Sequence, residues 1–230
     1  ILKPFLKGKD VQRYGYPPKR LFILFPYNIN NEGKAFLMEE GKIKEQFPEA
    51  YKWLKETEVI HRKKDGGSTN DNYWYRYARN QGIENIEQIK LSSMEICAKT
   101  PNVILDYEQF YHPTTIYSWY KKADLNDDYR YLLSLANSKI LWWFLKLTGD
   151  TLQGDARRFK TNYLNPFPLP DKVDFEMEKQ IAEKVDKTIN LKKQDPTADT
   201  TALEAEIDRL VYELYGLTDE EIRIVEESVG

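Results

Sequence analysis

Three prolines in six residues, at positions 165–170 (NPFPLP), divide this 230-residue chain into two parts that must fold differently. Each proline removes a backbone donor and disfavours the helical conformation at the residue before it, so the segment is neither helix nor inner strand. Upstream of it, short apolar and aromatic runs alternate with turn-forming clusters. Downstream, apolar residues recur at helical spacing. The partition is also one of charge. Residues 171–230 hold 8 Lys and Arg against 17 Asp and Glu, and residues 1–170 hold 26 against 20, giving net charges of −9 and +6. All five tryptophans, and every tyrosine except Tyr212 and Tyr215, lie in the first part. A mildly basic, aromatic body with an acidic tail is expected when one part of a chain meets a polyanion. An ordinary domain with uneven charge has the same profile.

Residues 1–20 contain Pro4, Gly8, Gly15, Pro17 and Pro18, and read as an irregular arm. Residues 21–27 (LFILFPY) suit a buried strand, closed by Pro26 and the polar cluster 28–31. Pro48 in the first helical position and Glu49 at the positive dipole end start a helix with Ala50, Trp53, Leu54 and Ile60 on one face. Residues 61–72 (HRKKDGGSTNDN) carry no apolar residue and two adjacent glycines, which makes a solvated loop. Alternation in residues 73–79 (YWYRYAR) predicts a strand with Tyr73, Tyr75 and Tyr77 on one face and Trp74 and Arg76 on the other. Further strands are expected at 95–99 and 103–107, joined by a turn at Thr100-Pro101-Asn102, and at 114–120 (TTIYSWY). Asp127 or Asp128 caps a helix running from Tyr129 to Leu147 and ended by Gly149, apolar around more than half its circumference.

In the tail, Asp174 caps a helix with Met177, Ile181, Val185 and Ile189 on one stripe. Thr201 and Glu204 form a capping box for a second helix, in which Leu203, Ile207, Leu210 and Leu214 make a coiled-coil-like seam. Gly216 ends it, and Thr218 with Glu221 opens a third. The fold class is therefore α+β: a mixed β-sheet with packed helices over residues 1–170, then a C-terminal helical hairpin over residues 171–230 that closes on the body or on a partner chain.

Several function classes are set aside by composition. The longest apolar stretch, residues 140–147, is broken by Lys146 and is far shorter than the ~20 residues of a membrane span. No signal peptide is visible, and a single cysteine, Cys97, suits a reducing cytoplasm. His61, His112 and Cys97 lack the close ligand pairs of a zinc site, so no metal is expected. The chain begins at Ile1 rather than Met, and is expected to be a fragment of something longer.

Several strings, in order, resemble the C-terminal specificity region of the TaqI-like and type IIG adenine-specific DNA methyltransferases. They are residues 2–14 (LKPFLKGKDVQRY), Trp74-Tyr75-Arg76, residues 131–149 around Ala-Asn-Ser-Lys, residues 154–170 (GDARRFKTNYLNPFPLP) and residues 207–216 (IDRLVYELYG). The resemblance implies a DNA target-recognition domain over residues 1–170. It further implies a fused parent in which an upstream methyltransferase domain uses S-adenosylmethionine to methylate adenine N6. In many members an N-terminal nuclease, dependent on Mg, is present as well. This segment itself is expected to be non-catalytic and to need no cofactor: Asn165-Pro166-Phe167-Pro168 only approximates the methyltransferase motif, and Asp106-Tyr107-Glu108 lacks the lysine of a nuclease centre. Its partners would be double-stranded DNA and the upstream domain, in the cytoplasm, with no membrane.

Sequence readers combine cations for phosphates with planar or polar groups for base edges. Lys7, Lys9 and Arg13 in the arm, and Arg62, Lys63 and Lys64 in the loop, are the phosphate candidates. Arg76, Arg157, Arg158 and Lys160, with Trp74 and Tyr75 as stacking groups, are the base-reading candidates. Surface lysines are commonly just solvated, and aromatic residues at strand spacing commonly belong to a core. A second reading, in which the leucine seam of the tail docks a partner subunit, stands beside the first.

Overall fold

The structure, a computed structural model, describes residues 1–15, 20–78, 82–170 and 173–230. Its contacts divide the chain into two compact units. The first comprises Ile1–Phe5, Leu21–Gln88 and Gln109–Tyr111, and the second Leu6–Arg20, Ile89–Glu108 and His112–Gly230. The α+β class is borne out, with strand pairing spread over four small sheets whose ladders are all antiparallel among the described residues.

In the first unit, β1 (Leu2–Phe5) pairs with β2 (Leu21–Leu24), and β3 (Tyr27–Ile29) with β4 (Ala35–Leu37). The arm expected to be irregular thus begins with a strand. The single buried strand expected at 21–27 is two, because Pro26 has no N–H with which to continue a ladder. Leu21 and Phe22 are exposed. Helix α1 (Glu40–Gln46) leads into α2 (Pro48–Arg62), with Pro48 in the first helical position as expected. Its core contact is Leu54, while Trp53 and Ile60 face solvent, so the apolar face is narrower than the spacing implies.

Residues 73–76 are turns rather than a strand, and Arg79 lies outside the described residues. The Asp71 carboxylate accepts from the Tyr73 N–H at 2.8 Å, and the Arg76 N–H donates to the Tyr73 carbonyl at 2.9 Å. The backbone is committed to local bonds, so alternation cannot operate. Trp74 and Tyr75 go inward together, joining Met38, Ile43 and Leu54 in one small core.

The second unit is built on a three-stranded sheet in the order β7-β5-β8, from β5 (Lys90–Met94), β7 (Val103–Asp106) and β8 (Ile116–Trp119). Strand β5 was concealed by its polar letters: Lys90, Ser92 and Ser93 are fully buried, with Lys90 paired to Asp106 at 2.8 Å across β5 and β7. The expected hairpin of 95–99 with 103–107 does not form. Instead β6 (Ile96–Cys97) pairs with β9 (Arg157–Arg158).

The long helix expected from Tyr129 to Leu147 is two helices, α3 (Tyr129–Asn137) and α4 (Lys139–Thr148). The break has a cause. The side chain of Asn137 accepts from the Val103 N–H at 3.1 Å and donates to the Val103 carbonyl at 2.9 Å, as a neighbouring strand would. Ser138 turns extended and caps α4, its Oγ accepting from the Leu141 N–H at 3.1 Å. Arg13 then takes the carbonyl of Asn137, while pairing with Glu204 and donating to Thr100. Asp128 is the N-cap of α3, as expected.

After the short helix α5 (Thr161–Leu164), the tail supplies α6 (Phe175–Gln194), α7 (Thr201–Leu214) and α8 (Asp219–Val229). Asp174 caps α6, and Thr218 with Glu221 makes a reciprocal capping box on α8. The box expected from Thr201 and Glu204 is absent. Thr200 occupies the N-cap, and its hydroxyl donates to Glu204 at 2.6 Å. Gly216 ends α7 at φ +64°. Ile181, Val185, Ile189, Ile207, Leu210 and Val211 are buried in one core with Leu133, Leu141 and Leu145. The tail helices are therefore integral to the second unit. No helix of the described residues is long and apolar enough to cross a membrane.

Replacing Asn137 with Ala removes both bonds to Val103 and leaves a buried N–H unpaired. Urea unfolding of N137A should show a loss of about 2–4 kcal/mol relative to the parent chain, from an unsatisfied buried donor together with lost packing. A loss below ~0.5 kcal/mol would mean that the clasp is dispensable.

Candidate nucleic-acid interface

In the first unit, the end of α2 and the segment after it gather Arg62, Lys63, Lys64, Trp74 and Arg76. Helix α2 extends through Arg62 before the chain turns. Three successive residues with positive φ, Asp65, Gly66 and Gly67, then fold it back, which two glycines make feasible. Lys63 and Lys64 project from this turn and are exposed. The His61 ring nitrogen Nδ1 accepts from Lys64 at 2.8 Å. Burial lowers the pKa of Lys64 from its ordinary value.

Arg62 is less free. It pairs with Glu58 and donates to the Asp71 carbonyl at 2.8 Å. Its guanidinium lies 5.7 Å from the Trp74 ring centre, with the Lys55 ammonium at 5.2 Å. Arg76 donates to the Asp71 carboxylate and to the Ser68 and Tyr73 carbonyls. The bond from Arg76, with the Tyr73 N–H second, holds the Asp71 carboxyl below the usual range. Trp74 and Tyr75 are only 2% and 4% exposed, and the Tyr75 hydroxyl donates to the Met38 carbonyl. Burial removes both from the groups able to stack on a base in this conformation; their role is core.

In the second unit, Lys7 and Lys9 are exposed at a single helical turn, Gly8–Asp10. Arg13 is spent on Glu204 and on the end of α3, so it is a structural clamp rather than a phosphate contact. Arg157 is corrected in the same way. Its side chain is 5% exposed, pairs with Asp155 at 2.9 Å and donates to the Asp155 and Ala156 carbonyls, with the Lys146 carbonyl of the last turn of α4 at 3.5 Å. A cation at a helix C-terminus complements the dipole there. Arg158, one residue on, is one-third exposed and pairs with Glu95 at 2.7 Å. Lys160 is half-buried, at the N-cap of α5, with no ion-pair partner among the described residues.

The candidates thus fall into two sets, one in each unit. The candidate arginines are held by carboxylates, whereas Lys7, Lys9, Lys63 and Lys64 are exposed. A further polar feature was passed over in the sequence, where residues 28–31 read only as the end of a strand. The tip of the β3–β4 hairpin, with Asn85, Glu87 and Gln88, lines a recess of about 350 Å³. The signal was a density of carboxamides, Asn30, Asn31, Asn85 and Gln88, on two segments far apart in sequence.

Residues 3–169 match the TaqI-like C-terminal specificity domain family. Over 202 residues, 84% of this chain, the sequence is 25% identical to a protein of Escherichia coli, the type II restriction enzyme and methyltransferase RM.Eco57I. The chain spans 20% of that protein's length.

Both histidines have pKa values lowered from the ordinary 6.5. For His61 the causes are burial and then the Lys64 charge; for His112 burial dominates, with Lys90 adding to it against a Pro113 carbonyl bond. The unfolded chain protonates near 6.5 while the folded chain resists, so stability is lost as pH falls below that value. Urea unfolding at pH 7 and pH 5.5 should show the parent weakening more than H61Q or H112Q. Identical slopes in all three would refute this.

Proposed function

The chain belongs to the TaqI-like C-terminal specificity domain family, and on that premise we propose that it selects the double-stranded DNA sequence on which a restriction-modification enzyme acts. The match across residues 3–169 is the observation that carries this reading, since it takes in both units and nearly every candidate contact. In the finer reading, the parent is a type IIG-like fused polypeptide. Its upstream domain methylates adenine N6 with S-adenosylmethionine, and a nuclease requiring Mg accompanies it. Two features of the relative support the fused parent. Its name joins restriction and methylation in one protein, and this chain corresponds to only a fifth of its length.

Division of labour follows from what each cation is attached to. Lys63, Lys64, Lys7 and Lys9 are exposed, and serve as phosphate contacts that set register without reading sequence. Arg158 presents a guanidinium whose direction is fixed by Glu95, whereas Arg76, held by Asp71 and by the Ser68 and Tyr73 carbonyls, has fewer donors left over. A base-reading guanidinium must hold its two donors in a plane against guanine O6 and N7, and a carboxylate behind it supplies that orientation. Lys160, beside Arg158, adds a less directional donor.

The reading of the tail as a docking device for a partner subunit loses its main support. Ile207 and Leu210 of the α7 seam are buried inside the second unit, and Leu203 and Leu214 are partly covered.

Binding of the chain to duplex DNA should weaken linearly in log–log form as salt rises, because each phosphate contact releases counterions with a slope of about −0.9. The double variant K63A/K64A should bind more weakly and flatten that slope by about 1–2, leaving sequence preference intact. R158A should relax preference at one position, costing ~1–3 kcal/mol of discrimination. Fluorescence anisotropy over a salt series, with matched and scrambled duplexes, measures all three. Salt-independent binding, or none at low salt, would overturn the reading.

A further inference from the structure

Reading a base needs donors and acceptors that remain free once a loop has satisfied its own bonds, and the recess at the β3–β4 hairpin tip offers such a set. The hairpin closes through the Asn30 N–H to the Lys34 carbonyl at 3.0 Å and the Gly33 N–H to the Asn30 carbonyl at 2.9 Å. Gly33 at φ +80° supplies the left-handed residue of a three-residue loop. The Asn30 side-chain oxygen accepts from the Glu32 N–H at 3.0 Å and the Lys34 N–H at 2.9 Å. Its oxygen is therefore used, which fixes the carboxamide and leaves both amide hydrogens as donors. Across the recess, Gln88 Nε2 donates to Asn85 Oδ1 at 2.9 Å, leaving the Gln88 oxygen as an oriented acceptor. Asn31, at the tip, is exposed and has no hydrogen-bond partner among the described residues, so it keeps a complete donor–acceptor pair.

We propose that this hairpin tip is a base-reading element, inserted in the major groove with Asn31 and Gln88 reading adenine. This rests on the DNA-recognition reading of the preceding subsection and adds the residues that discriminate. An adenine edge presents N7 as acceptor and the N6 amino group as donor, the pattern a free carboxamide answers with both its groups. The major groove, roughly 12 Å wide, admits a two-stranded ribbon of this kind. Phosphate binding is the less suitable use of the tip. Glu32 brings a negative charge to it, and the Lys34 ammonium beside it lies 5.4 Å from the Phe36 ring centre. A carboxylate repels the backbone, yet at a base edge it can accept from a cytosine amino group. The site is thus built for edges and not for the backbone.

Selection from a randomised duplex pool tests the proposal. The 230-residue chain is compared with N31A, Q88A and K63A/K64A, and melting of each variant is recorded. The parent should enrich a motif containing adenine. N31A and Q88A should each lose about 5- to 100-fold of preference at an adenine position while keeping the parent's salt slope. K63A/K64A should keep the motif and bind more weakly. The two carboxamide variants are read separately, so a folding loss in one leaves the other decisive. Should both enrich the parent's motif at full strength, the hairpin does not read bases and the proposal fails, with DNA recognition left standing. Uniform loss of binding with a flattened salt slope would make the tip a phosphate contact, which also overturns it. A parent chain that enriches no motif removes the recognition reading itself, and this inference with it.

Discussion

The carboxamide of Asn137 stands in for a β-strand, and the second unit depends on that substitution. Its two bonds to Val103 satisfy the outward backbone groups of a strand, β7, that has β5 as a neighbour on its other edge. A continuous helix from Tyr129 to Thr148 would run ~30 Å in one direction. Breaking it after Asn137 lets α3 pack on β7 and α6 while α4 packs on α8. The break is buried, and several of the backbone groups it frees find partners. Arg13 takes the freed carbonyl, Ser138 caps the new helix, and the Asp208 carboxylate accepts from the Lys139 N–H at 3.0 Å. Burial raises the Asp208 pKa, against bonds from Lys139 and the Arg13 charge that lower it. A buried carboxylate tolerated at that cost shows how firmly the junction needs an acceptor.

The same economy explains why the arginines and lysines part company. Arg13 and Arg157 are nearly inaccessible, and both spend their donors on helix-terminal or loop carbonyls. A guanidinium has five donors and stays charged, so it can serve several carbonyls and a carboxylate at once. Lysine lacks the planar fork; Lys146 serves the Ser228 carbonyl and Asp155, while Lys7, Lys9 and Lys63 are exposed. Basic residues counted from composition therefore overstate the charge available to a polyanion. Among the candidate contacts, Lys7, Lys9, Lys63 and Lys64 are exposed, and Arg76 and Arg158 are partly exposed, each backed by an acid.

Legibility of this fold in its sequence followed the range of the interactions concerned. Caps are local, so Asp128, Asp174 and the Thr218–Glu221 box were all readable, as were Pro48 and Gly216. The seam of α6 and α7 was readable because its period is helical. Strand β5 was not, since Lys90 is buried only by virtue of Asp106 on another strand. The helix break was hidden for a like reason: Ala-Asn-Ser-Lys is a plausible helix interior until Val103 comes beside Asn137. The turn at 73–76 defeated alternation through bonds of the Asp71 carboxylate and the Tyr73 carbonyl. For the candidate site, the loop lysines were visible as sequence, but which arginines were already occupied depended on Glu204, Asp155 and Glu95, up to 191 residues away. The carboxamides of the recess were visible as letters, but not as one site, because its two halves are separated by more than fifty residues.

The acidic tail acquires a different meaning once its packing is known. Helices α6, α7 and α8 are part of the second unit's core, so their carboxylates are fixed to the same body as Lys7, Lys9 and Arg158. Some of that negative charge is consumed internally, by Arg13, Lys139 and Arg130. Other tail carboxylates lie on exposed faces without an ion pair among the described residues, for example Glu183, Glu213 and Asp219. Like charges fixed on a rigid body repel a polyanion that approaches the face they occupy. Salt screens such repulsion over roughly 8–10 Å at physiological ionic strength, so it acts only at close approach.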